Sequence, residues 1–147
     1  MGATRSSDNL NPTDATLWAI KRDPELRTTI VGLGLLDGRP TWSTLQAAVE
    51  RAVDRMPRFR QRVAERPLGF GRPRWVDATP DMAFHLRRSA APEPGDLRSV
   101  LDLCGLLAAE DFDETRPLWQ IHVVEGLADD RAAIVVKVSH SLTDGVG

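Results

Sequence analysis

His140 is the side chain around which a reaction could be built. It follows the run Ile134-Val135-Val136-Lys137-Val138-Ser139 and stands four residues ahead of Asp144-Gly145. The β-branched run has the composition of a buried strand, and Asp-Gly opens a turn or a helix. The imidazole should therefore lie where a strand ends and a loop begins. Strand ends of this kind are where reactive side chains meet ligands. A neutral imidazole takes a proton near pH 7 without a large shift, which makes a placed histidine a general-base candidate. Taken alone, the same residue is more simply read as a histidine satisfied inside a strand–loop junction. A triad with Ser139 and Asp144 is set aside, because neighbours in an extended chain point to opposite faces and keep the Ser139 hydroxyl from the His140 ring. Asp144 could orient His140, cap the next helix or pair with an arginine.

The elements that must hold this histidine come from an ordinary composition. The chain has 147 residues, 41% hydrophobic and 27% charged, with a formal net charge of -2. That suits one globular domain and favours no particular partner. The single cysteine, Cys104, excludes an internal disulfide and fits a reducing, cytoplasmic setting. Neither a charged-then-apolar leader nor an apolar run approaching about 18 residues is present, so contact with lipid would be peripheral. Residues 1–9 read as a disordered lead-in and 10–147 as one domain.

Asn11-Pro12-Thr13-Asp14 predicts a helix start, with Asn11 as N-cap, Pro12 at the first position and Asp14 in the first turn. That helix should carry Trp18 and stop before Pro24. Thr28 to Leu36 reads as a strand in which Gly32 and Gly34 suggest close approach by another backbone or a ligand, or simple tolerance of glycine under a helix. Ser43 with Gln46 predicts a capping box ahead of a helix that Pro57 halts.

Between Glu50 and Arg74 eight arginines face three acids. Such a cluster could meet the phosphates of coenzyme A or an anionic lipid surface, or could be a solvated helix face with a basic loop. The absence of interleaved aromatics and the slightly acidic chain argue against nucleic acid. Arg74 to Val76 and Met82 to Leu86 read as short strands, the second carrying His85. With no Cys or carboxylate at ligand spacing near it, His85 is a structural residue and no metal site is expected. Asp96 should cap a helix burying Leu97, Val100, Leu101, Cys104 and Ala108. Cys104 then reads as a core residue and not a nucleophile. Trp119 to Val124 and Ala132 to Val138 predict a hairpin whose second strand delivers His140. His122, on the first strand, reads as a cross-strand packing residue.

Ser139-His140-Ser141-Leu142-Thr143-Asp144-Gly145 resembles the His-His-x-x-x-Asp-Gly signature of acyl-CoA-dependent and carrier-dependent acyltransferases, with Ser139 where the first histidine usually stands. Leu10-Asn11-Pro12-x-Asp14, Pro57-Arg58-Phe59-Arg60-Gln61-Arg62, Pro67-Leu68-Gly69, Arg72-Pro73-x-Trp75 and Arg116-Pro117-Leu118-Trp119 precede it in order. The whole set resembles the amino-terminal region of the bacterial wax ester synthase/diacylglycerol acyltransferase family. Gln120, where an acid is common, is a minor departure.

The resemblance implies an α+β fold: a mixed sheet with packed helices, one lobe of a two-lobed, chloramphenicol acetyltransferase-like acyltransferase. It implies that His140 is the base, that Asp144 is structural and that Gly145 permits close packing. The donor would be acyl-CoA as co-substrate, with no cofactor. The acceptor would be diacylglycerol or a long-chain alcohol at a membrane or lipid-body surface. Arg58, Arg60 and Arg62 are candidates for coenzyme A or lipid phosphates. The chain corresponds to little more than the first third of such a protein, so a carboxy-terminal lobe or partner chain is expected to complete it. Two alternatives stay open: a carrier-protein-dependent, condensation-type acyltransferase, and a catalytically degenerate lobe that binds lipid or a partner chain.

Overall fold

The computed structural model describes residues 9–21 and 23–143. Of the lead-in expected over residues 1–9, only Asn9 is described, and it is not disordered but forms an antiparallel bridge with Arg74; the rest of it, and the motif residues Asp144 and Gly145, lie outside the described residues. Helix α1 (Pro12–Ile20) is followed by strand β1 (Thr29–Leu36), helix α2 (Trp42–Arg55), and strands β2 (Gln61–Ala64) and β3 (Arg74–Asp77). The one-turn helix α3 (Met82–His85), strand β4 (Leu86–Ala90) and helix α4 (Leu97–Ala109) come next. Strands β5 (Trp119–Leu127) and β6 (Arg131–Ser139) and the short helix α5 (His140–Thr143) complete the order.

The main sheet has the order β1-β6-β5-β4. β6 runs antiparallel to both its neighbours while β4 lies parallel to β5, so the expected mixed sheet is present. The expected hairpin is β5–β6, with Trp119 opposite Val138 and Gln120 opposite Lys137. Side-chain alternation then splits the sheet into two faces. Trp119, Val123 and Leu86 share a core with Val49 and Val53 of α2, joined by Leu10, Trp18, Val63 and Trp75. Val124, Ala133 and Val135 pack under Val100 and Leu107 of α4 on the other face.

The helix starts follow from their caps. Asn11 Oδ1 accepts from the Asp14 amide at 2.7 Å, and Asp96 Oδ1 accepts from the Ser99 amide at 2.8 Å, both as expected. The buried stripe of α4 is rotated from the expected one. Val100 and Leu107 are buried with Leu103 and Cys104 beside them, while Leu97 and Leu101 are each 48% exposed. At 100° per residue those two leucines fall on the flank of an arc centred between Val100 and Leu107.

Two further expectations are corrected. α2 begins at Trp42 with an extended Thr41 before it, so Ser43 lies inside the first turn and caps nothing. Gln46 donates instead to Glu50 Oε1 at 2.9 Å. Met82 to His85 is a helical turn and not a strand. Asp81 Oδ1 accepts from the Ala83 amide at 3.1 Å, and the Phe84 and His85 amides donate to the Asp81 carbonyl, so extended structure starts only at Leu86. Strand β2, absent from the expectations, forms by pairing Val63 with Trp75 of β3.

Glycine is required at Gly95, where φ is +79° and an added Cβ would stand 3.2 Å from the Gly126 carbonyl oxygen. Gly32 and Gly34 differ. A Cβ on Gly32 would meet nothing within 4 Å, and one on Gly34 only the Ile134 carbonyl at 4.0 Å. The close approach that these glycines suggest is not made among the described residues.

Candidate active site around His140

β6 is a central strand held on both sides, and this sets the position of its end. The Ser139 amide donates to the Leu118 carbonyl at 3.0 Å, and the His140 amide donates to the Thr28 carbonyl at 2.9 Å. His140 then opens α5, and the Thr143 hydroxyl donates back to the His140 carbonyl at 2.7 Å. The imidazole is half-buried at the strand end that its sequence context predicts, but a helical turn that starts at His140 itself follows in place of the expected loop. Its Nδ1 is buried and meets no hydrogen-bond partner among the described residues.

Ser139 is directed elsewhere. Its Oγ lies 2.9 Å from Ser141 Oγ, and it lines a cavity of about 40 Å³ with Trp18, Thr28, Thr29 and Leu118. Ser139 and His140 are thus not paired, in keeping with the rejected triad.

Trp119, opposite Val138, ties this end of the sheet to the rest of the core. Its Nε1 donates to the Phe59 carbonyl at 2.9 Å, and its ring stacks on His85 at a centroid distance of 4.4 Å. Beside it, an apolar cleft of about 220 Å³ opens between α2 and β5, lined by Ala48, Ala52, Met56, Phe59, Trp119 and Ile121.

His85 and His122 have structural roles, as expected. His85 is buried, and its Nδ1 donates to the Trp119 carbonyl at 2.6 Å, leaving a bare Nε2 with no partner among the described residues. Burial holds its pKa below the ordinary imidazole value; the hydrogen bond to the Trp119 carbonyl and the Asp81 charge oppose that shift, while the charges of Arg116 and Arg87 add to it. His122 is buried with Nε2 3.3 Å from Gln120 Oε1. Burial, then the charges of Arg87 and Lys137, lower its pKa as well.

Both rings take a proton more readily in the unfolded chain than in the fold. Their contribution to stability is therefore complete above the unfolded imidazole value of about 6.5 and is lost as pH falls below it. Melting temperature is expected to drop between pH 7 and pH 5, and the drop should be shallower in His85→Gln. An equal slope in that variant would remove His85 from the account.

Lys137 is not singled out by the sequence reading, although a lysine inside a β-branched run is an anomaly that signals a special residue. It is fully buried, and its Nζ donates to the Glu110 carbonyl at 2.8 Å, with the Glu110 carboxylate 3.6 Å away and the Phe112 ring 4.6 Å away. Burial lowers its pKa, and the Glu110 charge opposes that shift. The ammonium closes the C-terminal end of α4 onto β6, where the helix dipole favours a cation. Lys137→Met keeps the volume and removes a buried charge, so it is expected to change stability by less than about 1.5 kcal/mol. Lys137→Ala leaves a cavity and should cost about 2–5 kcal/mol. Urea midpoints separate the two.

The arginines singled out in the sequence lie away from β6, near the end of α2 and on the two-stranded sheet. The Arg58 guanidinium sits 4.7 Å over the Trp75 ring and donates to Gln61 Oε1 at 2.9 Å. Arg60 pairs with Asp54 at 3.2 Å, and Arg62 lies on β2 opposite Val76. Cys104 is half-buried, and burial pushes its thiol pKa up, which fits a packing residue. Among the described residues no cluster of three metal-binding side chains is present, and no helix is long and apolar enough to cross a membrane.

Comparison with known proteins places these features in a family. Residues 10–147 match the model of the wax ester synthase/diacylglycerol acyltransferase catalytic domain. A Mycobacterium tuberculosis protein named as a diacylglycerol O-acyltransferase is 42% identical over 144 residues, covering 97% of this chain and 29% of that protein. A second protein of the same species with that name, tgs3, is 37% identical over 142 residues, covering 93% of this chain and 52% of its own.

The solved structure of the wax ester synthase/diacylglycerol acyltransferase from Marinobacter aquaeolei VT8 superposes with a TM-score of 0.69 at 31% identity, over 94% of this chain and 35% of that one. The starter condensation domain of rhizomide synthetase reaches a TM-score of 0.74 at 12% identity, over 92% of this chain and 34% of its own, which is a likeness of fold. The chain thus spans between about a third and a half of the proteins it resembles, and it belongs to the wax ester synthase/diacylglycerol acyltransferase catalytic-domain family.

Proposed function

We propose that this chain is the histidine-bearing, amino-terminal lobe (residues 10–147) of an O-acyltransferase. The enzyme would move a fatty acyl group from acyl-CoA to the hydroxyl of diacylglycerol or a long-chain alcohol. The observation that carries the reading is His140. It stands half-buried at the end of the central strand, at the motif position, in a chain that matches that catalytic domain from residue 10 onward.

In this reading the imidazole removes the proton of the acceptor hydroxyl as the oxygen attacks the thioester carbonyl. The tetrahedral intermediate collapses with cleavage of the carbon–sulfur bond, and the departing thiolate takes the proton back from the imidazolium. Ester and free coenzyme A are the products, and the histidine ends as it began. No acyl-enzyme is required. Ser139 is engaged with Ser141, and the Cys104 thiol is held protonated by burial on a helix outside the site.

A placed base contributes roughly a hundred- to ten-thousand-fold. Orientation of the two substrates and donors to the thioester oxyanion supply most of the rest, and these are assigned to a second lobe. Arg58, Arg60 and Arg62 are assigned to coenzyme A phosphates. An exposed pair such as Arg60–Asp54 is worth little and can be exchanged for a phosphate. No cofactor is invoked. Because the acceptor is a lipid, the enzyme is assigned to the cytoplasmic face of a membrane or lipid body.

The test is acyl transfer from palmitoyl-CoA, followed as thiol release, with diacylglycerol and hexadecanol offered in turn. It is run on the chain alone and with the carboxy-terminal part of a relative supplied. Transfer is expected only with both parts present, and the preferred acceptor names the reaction. Silence of a folded, associated pair would sink the catalytic reading and leave a lobe that binds without reacting.

A further inference from the structure

The segment 66–74, Arg-Pro-Leu-Gly-Phe-Gly-Arg-Pro-Arg, carries two large apolar side chains that pack on nothing among the described residues. Leu68 is 91% exposed and Phe70 is 78% exposed, and neither joins a core cluster. The backbone holds them out. Leu68 adopts φ 63° and ψ 11°, a left-handed conformation that is costly for a leucine, and Gly69 and Gly71 have φ of +71° and +96°.

The base of the loop is braced. The Gly69 amide donates to the Arg66 carbonyl at 3.0 Å, and the Arg66 guanidinium donates to Asn9 Oδ1 at 2.9 Å and to the Arg72 carbonyl at 3.4 Å. Behind it an open cavity of about 460 Å³, which Glu65 also lines, separates the loop from Ala15 and Ala19 of α1. Two large apolar side chains are therefore presented at the tip of a braced turn, with backbone strain that no packing among the described residues offsets. Strain of this sort points to function.

Charge names the occupant. The segment carries Arg66, Arg72 and Arg74 and no acid. We propose that this loop is a lipid-surface anchor, in which Leu68 and Phe70 enter the acyl boundary of an anionic phospholipid surface while Arg66, Arg72 and Arg74 meet its phosphates. Apolar insertion and basic attraction are the two signals that together hold a peripheral protein on a membrane. An apolar socket on another protein would accept the leucine and phenylalanine but has no general need of three arginines around them. The proposal deepens the lipid-acceptor reading by saying how the protein reaches its substrate, yet its test does not depend on catalysis.

The test is co-sedimentation of the 147-residue chain with phosphatidylcholine vesicles, with and without phosphatidylglycerol. Binding is expected on the phosphatidylglycerol vesicles and should weaken in about 1 M salt, where charges are screened within about 3 Å. The double variant Leu68→Ser/Phe70→Ser is expected to lower the partition coefficient about tenfold or more while leaving the melting temperature unchanged, since both side chains are exposed. Phe70→Trp should add an indole fluorescence signal that shifts to the blue and is quenched by brominated lipid.

Failure of the wild-type chain to bind phosphatidylglycerol vesicles would overturn the anchor. So would undiminished binding by the double variant, which would move the contact to another apolar face such as the outer leucines of α4. An added indole signal in Phe70→Trp that stays aqueous on bound protein would overturn it as well. His140→Ala should bind vesicles as the wild type does, so loss of acyl transfer and loss of the anchor are read separately.

Discussion

Replacing His140 with alanine is expected to lower acyl transfer by about a hundred- to ten-thousand-fold in an assembled, active form of the enzyme. The size of the effect follows from what is removed. Neither of this chain's other imidazoles stands ready to substitute: His85 is committed to the Trp119 carbonyl and His122 to Gln120. The fold should survive, because the hydrogen bonds that pin this junction to Thr28 and Thr143 use the main-chain N–H and C=O of residue 140, which alanine keeps. The measurement is thiol release with either acceptor, alongside a thermal melt. Loss of rate at an unchanged melting temperature assigns the ring to chemistry. A variant retaining more than about a tenth of the wild-type rate would falsify the general-base role.

The largest stability effect is expected at Trp119. The side chain is 1% exposed, stacks on His85, approaches Phe59 at a centroid distance of 5.7 Å, and bonds the Phe59 carbonyl through Nε1. Truncation to alanine removes a full aromatic burial and strands the Phe59 carbonyl, with an expected cost of about 3–5 kcal/mol. That is a large share of the roughly 5–15 kcal/mol holding a typical domain together, so Trp119→Ala should be partly unfolded near 37 °C. Trp119→Phe keeps most of the packing and loses the indole donor, and it should fall between the two. Urea midpoints with far-ultraviolet circular dichroism rank the three. If Trp119→Ala costs less than about 1 kcal/mol, the core does not centre on this residue. Because Trp119 opposes Val138, two positions before His140, a loosened Trp119 should also lower transfer in the assembled enzyme.

These expectations differ in how far the sequence alone makes them legible. The hairpin that delivers His140 is a local object: two apolar runs on either side of a turn pair because they are close in sequence. α1 is local too, since Asn11, Pro12 and Asp14 act within one turn. Met82 to Leu86 misleads because its apolar content matches a short strand. The Asp81 cap and its main-chain bonds make a helical turn the better way to satisfy the same amides. β2 is invisible because four residues carry little periodicity, and its partner β3 lies beyond a proline- and glycine-rich loop.

The sequence by itself determined the family, through an ordered set of short motifs from Leu10 to Gly147, and with it the mixed sheet and the position of the histidine at a strand end. Caps, prolines, glycines and β-branched runs act over a few residues, so they can be read without the fold. The tertiary structure alone decided how the individual side chains are engaged. It buried Lys137 and closed it on Glu110, and it tied His85 to a carbonyl 34 residues away. It turned Ser139 toward Ser141, left His140 Nδ1 without a partner among the described residues, and set Leu68 and Phe70 out in the open. Each of these depends on what a distant part of the chain places, or fails to place, within a few ångströms, and burial and hydrogen-bond satisfaction exist only once those distances are closed.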